Sequence, residues 1–317
     1  MVYWSTYSYK RYIFTKKQFV YAVHSNIDNI EAFVSGCRVF YRPASKASSS
    51  SSGSTQPIVF FHGMGAGLAP YSKFIDTLID VYGDTRPIFL LYIPQISMTH
   101  QRYLPALSEI STLVEDAVVN TLRSLGNTDP ILLDLISHSF GTCLASNLLQ
   151  RQNTHNSNIV FNNITMIEPA AISCCLPDMI CRLYFDTNYA GVFDLLVRSE
   201  IHTMYAVQRR LDWMESFIGG LGNIVITKGL KKANSSSNNR EDYYSDTYTY
   251  LRKYKVFLSK TDAMIPLEPS IRALKRLAPD CDLDFFPGTH GGWIPDAQSR
   301  MAVVMSIMEP ETAAVAS

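Results

Sequence analysis

Residues 134–146 read DLISHSFGTCLAS. An apolar run leads into this stretch, and its central serine, Ser139, has the small residue Ser137 two positions before it and Gly141 two positions after it. Small flanking residues let a backbone turn sharply from a strand into a helix and project the central side chain from the top of a sheet. The pattern predicts such a turn, with Ser139 either a nucleophile or only a serine at a turn.

Short apolar runs alternate with helical patterns on both sides of this turn. Two helices are predicted, from about Pro70 to Tyr82 and from about Ser108 to Leu125. The runs are apolar along their whole length, which indicates strands that are covered on both faces. We therefore predict an α/β fold with a mostly parallel, doubly wound sheet. The four runs are PIVFFHG (57–63), RPIFLLYIP (86–94), PILLDLISHS (130–139) and IVFNNITMIEP (159–169).

The alternation stops after the fourth run, so the chain is divided into segments. Residues 170–246 are helical, amphipathic and rich in aromatic residues, and they are predicted to form a cap inserted after the fourth core strand. The core comprises residues 57–169 and 247–317, where the strand YKVFLSKTD and a helix from Leu267 to Leu277 resume the pattern. Residues 1–56 are predicted to be an N-terminal strand region followed by a solvated serine-rich loop.

A serine hydroxyl is a weak nucleophile until a base accepts its proton, and an acid must orient that base. Asp262 follows one predicted strand and His290 follows the next, in the stretches SKTDAMIP and PGTHGGW. Open α/β sheets keep their sites at the carboxyl ends of the strands, so both side chains are expected at the edge where Ser139 lies. The chain order of serine, aspartate and histidine fits this arrangement.

A glycine-rich stretch, FFHGMGAG (60–67), follows the first core strand. Attack on an acyl group creates an oxyanion, which two main-chain N–H groups can stabilise. The candidates are the N–H groups of Met64 and Phe140, because the glycines beside Met64 allow a close approach to a substrate. A lone H-G-x-G motif is a weak signal, but here it accompanies the serine, aspartate and histidine segments.

These four segments resemble the α/β-hydrolase superfamily, in particular its lipases and esterases of the AB-hydrolase-1 type. The resemblance extends over about residues 57–309. It implies a catalytic triad of Ser139, Asp262 and His290, with residues 170–246 as the cap over the pocket. It implies no cofactor and no metal. One departure is Ser137, where the superfamily usually has glycine.

Other polar residues offer alternatives to these roles. Glu168, directly after the fourth core strand, is an alternative acid, because some superfamily members take their acid from that position. His138 and His62 are interpreted as structural. Asp134 is unusual within an apolar strand, since a buried carboxylate needs a partner or an elevated pKa. The sequence gives no role for it.

The predicted function is a serine hydrolase that cleaves a carboxylic ester of a small hydrophobic or lipid-like substrate. A thioesterase, an amidase or an acyltransferase on the same triad, or a non-catalytic scaffold of the same fold, are the alternatives. Lys plus Arg and Asp plus Glu number 28 each, which argues against a nucleic-acid partner. Peripheral membrane contact is compatible with the lysines at 228, 231 and 232.

The sequence also bears on the location of the protein and on metal binding. The aromatic, basic start lacks the apolar run of a signal peptide, and no stretch has the length of a membrane span, so an intracellular location, cytoplasmic or membrane-associated, is expected. The six cysteines form no C-x-x-C pair, which argues against a zinc site. They are interpreted as mostly buried thiols.

Overall fold

A computed structural model provides the structure of the chain. It describes residues 17–21, 36–45, 56–99, 105–127, 130–153, 157–174, 177–185, 204, 223–226 and 248–308. Most of the predicted cap, most of the serine-rich loop and the three lysines between 228 and 232 lie outside the described residues.

Eight strands form one sheet, in the order β1-β2-β4-β3-β5-β6-β9-β10. From β4 to β10 all neighbouring strands pair in parallel, whereas β1 with β2 and β2 with β4 pair antiparallel. The fold-class prediction of a mostly parallel α/β sheet is confirmed. The strands are β1 (Val20–Tyr21), β2 (Arg38–Arg42), β3 (Ile58–Phe61), β4 (Ile88–Tyr92), β5 (Ile131–His138), β6 (Ile159–Ile167), β9 (Lys253–Ser259) and β10 (Asp282–Phe286), while β7 (Asn223–Ile226) and β8 (Tyr248–Leu251) form a separate pair.

The strand predicted before the serine-rich loop belongs to the main sheet. Strand β2 pairs with β4 along its full length, from Arg38 opposite Tyr92 to Arg42 opposite Ile88. Its side chains of Val39 and Phe40 are buried, so both faces of β2 are covered. The polar serine-rich loop separates β2 from the rest of the core in the sequence. In the structure, main-chain hydrogen bonds join β2 to the sheet.

Helices cover both faces of the sheet, as the continuous apolar strands require. In β3, Ile58 and Phe60 pack with one buried cluster, and Val59 and Phe61 pack with the other. The helices are α1 (Ser72–Tyr82), α2 (Leu107–Ser124), α3 (Gly141–Asn153), α4 (Ala170–Ser173), α5 (Pro177–Phe185), α6 (Leu267–Leu277) and α7 (Ala297–Met305), with 3₁₀ turns at Ala69–Tyr71 and Pro94–Ile96.

The cluster around Ile58 and Phe60 includes residues of α1 and α7, and the cluster around Val59 and Phe61 includes residues of α2 and α3. The sheet is therefore the middle layer of three. Within the described part of the chain, no helix is both long enough and apolar enough to cross a lipid bilayer.

Asp134, which the sequence leaves without a role, joins β5 and β6 to the residues that precede β3 and β4. Its carboxylate accepts hydrogen bonds from Arg86 Nη2 at 2.5 Å and from Gln56 Nε2 at 2.6 Å. The β5–β6 register shifts between Leu133 and Asp134, and this irregularity lets the Asn163 main-chain N–H donate to the same carboxylate at 3.1 Å. Asp134 is therefore a fully partnered structural carboxylate.

Candidate active site

Ser139 lies at a sharp turn between β5 and α3. Its φ angle is +51°, in the left-handed region that residues other than glycine seldom adopt. The turn is held because the Ser139 N–H donates to the carbonyl oxygen of Ile167, at the end of β6, at 2.9 Å. A Cβ atom at Gly141 would lie 2.6 Å from the main-chain oxygen of Phe61, which explains why glycine follows the serine at this spacing.

The three residues of the predicted triad lie in hydrogen-bonding distance of one another. The Nε2 atom of His290 is 2.9 Å from the Oγ of Ser139, and its Nδ1 atom is 2.8 Å from the Oδ2 of Asp262. Asp262 follows β9, and His290 lies in the segment after β10. Parallel pairing brings both segments to the carboxyl edge of the sheet, where Ser139 is.

The hydrogen bonds determine which nitrogen of His290 carries its proton. An ionised carboxylate can only accept, so the Nδ1–H group of His290 donates to Asp262. In the neutral form of the imidazole, the unprotonated Nε2 accepts from the hydroxyl of Ser139. The other oxygen of Asp262 accepts from the N–H groups of Met264 and Ile265, each at 2.8 Å, which fixes the carboxylate in this orientation. The arrangement can remove a proton from Ser139.

A second carboxylate, that of Glu168, lies against the same imidazole. Its Oε2 atom is 3.3 Å from Nδ1 of His290 and 2.8 Å from Nε2 of His138, and the side chain is fully buried. The Gly291 N–H donates to Oε2 at 2.7 Å, and the Ser259 hydroxyl donates to Oε1. Glu168, the alternative acid of the sequence analysis, is thus beside the triad and farther from Nδ1 than Asp262 is.

The two carboxylates set the charge state of His290. Burial by itself lowers the pKa of His290, but the negative charges of Asp262 and Glu168 outweigh burial and raise this pKa to about 9. For Glu168, burial favours the neutral acid, yet the charge of His290 and the hydrogen bond from His138 hold the pKa of its carboxyl group below the usual range. An ionised carboxylate and a strongly basic imidazole therefore stabilise each other.

His138 is part of a buried chain of hydrogen bonds that leads away from Glu168. Its Nδ1 atom is 2.6 Å from the hydroxyl of Tyr71, and that hydroxyl accepts a hydrogen bond from the Gly63 N–H at 2.9 Å. The hydroxyl proton of Tyr71 then points to Nδ1, which leaves the Nε2–H of His138 to donate to Glu168. Burial also lowers the pKa of His138, so this imidazole is neutral.

Main-chain hydrogen bonds fix the glycine-rich loop on both sides of Met64. The Gly63 N–H donates to Tyr71, and the Gly65 N–H donates to the carbonyl oxygen of Ile96 at 3.0 Å. In the part of the chain that the structure describes, the N–H groups of Met64 and Phe140 have no hydrogen-bond partner. The two N–H groups predicted as oxyanion donors are thus not used by the described fold.

His62, interpreted from the sequence as structural, braces the same loop. Its Nε2 atom accepts from the Ile93 N–H at 3.2 Å, so its Nδ1–H donates to the carbonyl oxygen of Gly63 at 2.7 Å. Burial lowers the pKa of His62 to about 4, which keeps the ring neutral. Both contacts are with the main chain, and they support the shape of the loop.

One group of described side chains is close enough to share a metal ion: His138, Glu168 and His290, whose ligand atoms lie within 4.8 Å of one another. These atoms already form hydrogen bonds with each other or with Asp262. A cation in their midst would have to displace the N–H protons that form them. The donor set therefore fits a hydrogen-bonded acid–base site better than a metal centre.

Neither the family models nor the curated proteins contain a match to this chain. Solved structures do resemble it. A proposed aryl esterase from Burkholderia cenocepacia is 14% identical with a TM-score of 0.50, and the match covers 94% of this chain and 100% of that one. An esterase/lipase from an uncultured bacterium is 12% identical with a TM-score of 0.50, and the match covers 86% and 80% of the two chains.

An α/β-hydrolase fold protein from Burkholderia ambifaria is 12% identical with a TM-score of 0.48, covering 86% of this chain and 94% of that one. At such identities a likeness concerns the fold and not the reaction. The two likenesses with a TM-score of 0.50 cover 86% or more of this chain and support the fold class predicted from the sequence. The chain has the α/β-hydrolase fold.

Proposed function

We propose that the chain is a serine hydrolase that cleaves a carboxylic ester through an acyl-enzyme on Ser139. The observation that carries this proposal is the continuous line of hydrogen bonds from Ser139 Oγ to His290 at 2.9 Å and from His290 to Asp262 at 2.8 Å. A nucleophile, a base within hydrogen-bond reach and an acid that orients the base are the elements of nucleophilic acyl transfer. The mechanism needs no metal and no organic cofactor.

In the first half of the reaction, Oγ of Ser139 attacks the carbonyl carbon while Nε2 of His290 accepts the hydroxyl proton. The carbonyl oxygen becomes negatively charged, and the N–H groups of Met64 and Phe140 donate to it. When the tetrahedral intermediate collapses, the C–O bond to the alcohol breaks. The alcohol oxygen takes the proton back from His290, and the acyl group stays on Ser139.

In the second half, water takes the place of the alcohol. His290 accepts a proton from the water as its oxygen attacks the acyl carbon, and the same two N–H groups stabilise the second oxyanion. Collapse returns the proton to Oγ of Ser139 and releases the carboxylic acid. Through both halves Asp262 holds the imidazole in one orientation and stabilises its positive form.

A hydrophobic or lipid-like acyl or alcohol group is the substrate we propose. The predicted cap, residues 170–246, is rich in Tyr, Phe, Met and Leu, and small-molecule pockets are lined mainly by such side chains. The esterase names of two structures with the same fold are consistent with an ester as the scissile group. We also propose that residues 170–246 cover the pocket.

Hydrolysis of chromogenic esters of increasing acyl chain length tests this function. We expect kcat/KM to rise from acetyl to medium or long chains, because a longer chain buries more apolar surface. Thioesters and amides with the same acyl groups should be assayed in parallel. Their rates distinguish an esterase from the thioesterase and amidase alternatives. Equal rates for the wild type and a Ser139→Ala variant would contradict the proposed reaction.

A further inference from the structure

Glu168 has the same unusual backbone conformation as Ser139. Both residues directly follow neighbouring parallel strands, β6 and β5, and their φ angles are +47° and +51°. A residue other than glycine in this region is strained and persists only where its surroundings hold it, which occurs preferentially at functional sites. The Glu168 N–H is fixed by the carbonyl oxygen of Phe257 at 2.8 Å. This conformation places Glu168 at the edge of the sheet where the triad lies.

The surroundings of Glu168 are those of an ionised carboxylate. Donors converge on its two oxygens from three parts of the fold: the Ser259 hydroxyl at the end of β9, His138 at the end of β5, and the Gly291 N–H in the segment after β10. A buried charge needs a counter-charge as well as donors. The titratable group that can supply it is His290, whose Nδ1 is 3.3 Å away.

His138 cannot be that counter-charge. Its Nδ1 atom is engaged by the hydroxyl of Tyr71, and the ring is neutral. It acts on Glu168 as a hydrogen-bond donor. Because Tyr71 also holds the Gly63 N–H, the same chain of contacts ties Glu168 to the glycine-rich loop.

We propose that Glu168 is a positioning residue for His290: a second carboxylate that, together with Asp262, stabilises the imidazolium formed when Ser139 loses its proton. This proposal rests on the proposed function. It assigns two acids to one histidine. Asp262 accepts the Nδ1–H of His290. Glu168 adds a second negative charge, and it accepts a hydrogen bond from the N–H of Gly291, the residue after His290. Asp262, Glu168, His138 and Ser139 all contact the imidazole.

Arg182 of α5 contacts the main chain of the segment that carries Asp262. Its Nη1 donates to the main-chain oxygens of Asp262 at 3.3 Å and Ala263 at 3.2 Å. It therefore braces the segment that carries the acid without pairing with either carboxylate. A change in the charge of Glu168 is accordingly expected to act on His290 directly.

The test is an NMR titration of the His290 ring in full-length wild type and in Glu168→Gln, with the signal assigned by its loss in His290→Asn. The glutamine keeps the shape, since its oxygen can still accept from Gly291 and His138 and its NH₂ group can donate to Ser259. We expect the pKa of His290 to fall by roughly one unit or more, the size of shift that a close charge produces. An unchanged pKa would overturn the proposal.

Glu115→Gln is the matched control. Like Glu168, Glu115 is a buried carboxylate, but it lies on α2 and its ion-pair partner is Arg151, at 3.1 Å. This variant should leave the pKa of His290 unchanged. If Glu115→Gln lowered the pKa of His290 as much as Glu168→Gln does, the loss of any buried charge would be enough to cause the change. That result would overturn the specific role of Glu168.

Asp262→Asn provides a test that does not depend on the folding of Glu168→Gln. With Asp262 neutral, burial alone would take the pKa of His290 below about 6.5, the ordinary value for histidine. If Glu168 acts as the second carboxylate, the pKa of His290 in Asp262→Asn stays above that value. A pKa of His290 below that value would show that Glu168 does not offset the burial of the imidazole when Asp262 is neutral, and it would overturn the proposal.

These titrations are independent of hydrolysis, so the two proposals can fail separately. If no ester is cleaved but the Glu168→Gln shift appears, the proposed function is wrong and the electrostatic role of Glu168 stands. If esters are cleaved in a Ser139-dependent manner and the acidic limb of kcat/KM does not move in Glu168→Gln, the function stands and the role of Glu168 is wrong.

Discussion

The Nε2 atom of His290 lies 2.9 Å from the Oγ of Ser139, although 151 positions separate the two residues in the chain. The parallel sheet produces this contact. Strands β5, β6, β9 and β10 are consecutive neighbours, so the segments that follow them meet at one edge.

Replacing the nucleophile should abolish activity without unfolding the protein. We expect Ser139→Ala to lower kcat/KM for an ester by about ten-thousand-fold or more, the scale seen when a triad serine is removed. Ser146→Ala is a suitable control, since Ser146 is a buried serine of α3 whose hydroxyl has no partner among the described residues. Steady-state kinetics and the Tm of both variants provide the comparison.

The pH profile should reflect the raised pKa of His290, about 9. His290 must be neutral to accept the proton of Ser139, so kcat/KM should fall about tenfold per unit as the pH drops below that pKa. Because folding raises the pKa of His290, the protonated imidazole stabilises the folded state, and this contribution is complete below about pH 6.5, the pKa of an unperturbed histidine. The contribution is lost as the pH rises through the pKa of His290 in the folded state. A limb centred at or below pH 6.5 would contradict the influence of the two carboxylates.

Gly63 should be intolerant of a side chain. A Cβ atom there would lie 2.9 Å from both Nδ1 of His138 and Cβ of Ser139, closer than such contacts allow. We expect Gly63→Ala to displace the loop that carries the Met64 N–H and to lower kcat by about a hundredfold, as the loss of one oxyanion donor does. Comparing kcat with KM distinguishes this effect from weaker binding, and an unaltered kcat would argue against the oxyanion role.

Asp134 should matter for stability and not for chemistry. Asp134→Ala removes the buried carboxylate that pairs with half-buried Arg86, so we expect the free energy of unfolding to fall by about 1 to 3 kcal/mol. Urea denaturation measures this change. The kcat/KM of the folded variant should equal that of the wild type, because the hydrogen bonds of Asp134 are with Arg86, Gln56 and Asn163 and not with the triad. A large loss of kcat/KM in a stable variant would contradict this separation of roles.

Much of the fold could be predicted because buried parallel strands have a distinctive pattern. The apolar runs anticipated β3 to β6, and the helix expected from Leu267 to Leu277 has those bounds. The antiparallel placement of β2 beside β4 could not be read from the sequence, since it depends on pairing across a long polar loop. The cap prediction remains a prediction, because most of residues 170–246 lie outside the described part of the chain.

The site was predictable where a motif carries the chemistry. The segments holding Ser139, Asp262 and His290 have recognisable spacing, and the structure brings them together. Tyr71 was missed because it lies in a 3₁₀ turn without any motif, and only the tertiary fold brings it to His138. Glu168 could be recognised in the sequence as a charged residue at the end of an apolar strand. Its contacts with His138 and His290 could not be predicted.

The most direct test of the central claim is covalent labelling of the protein by a fluorophosphonate probe, read by intact mass. The probe reacts with an activated serine hydroxyl and not with an ordinary one. We predict a single adduct on the wild type and none on Ser139→Ala. A well-folded wild type that forms no adduct, or an adduct that persists in Ser139→Ala, would contradict the assignment of Ser139 as the nucleophile.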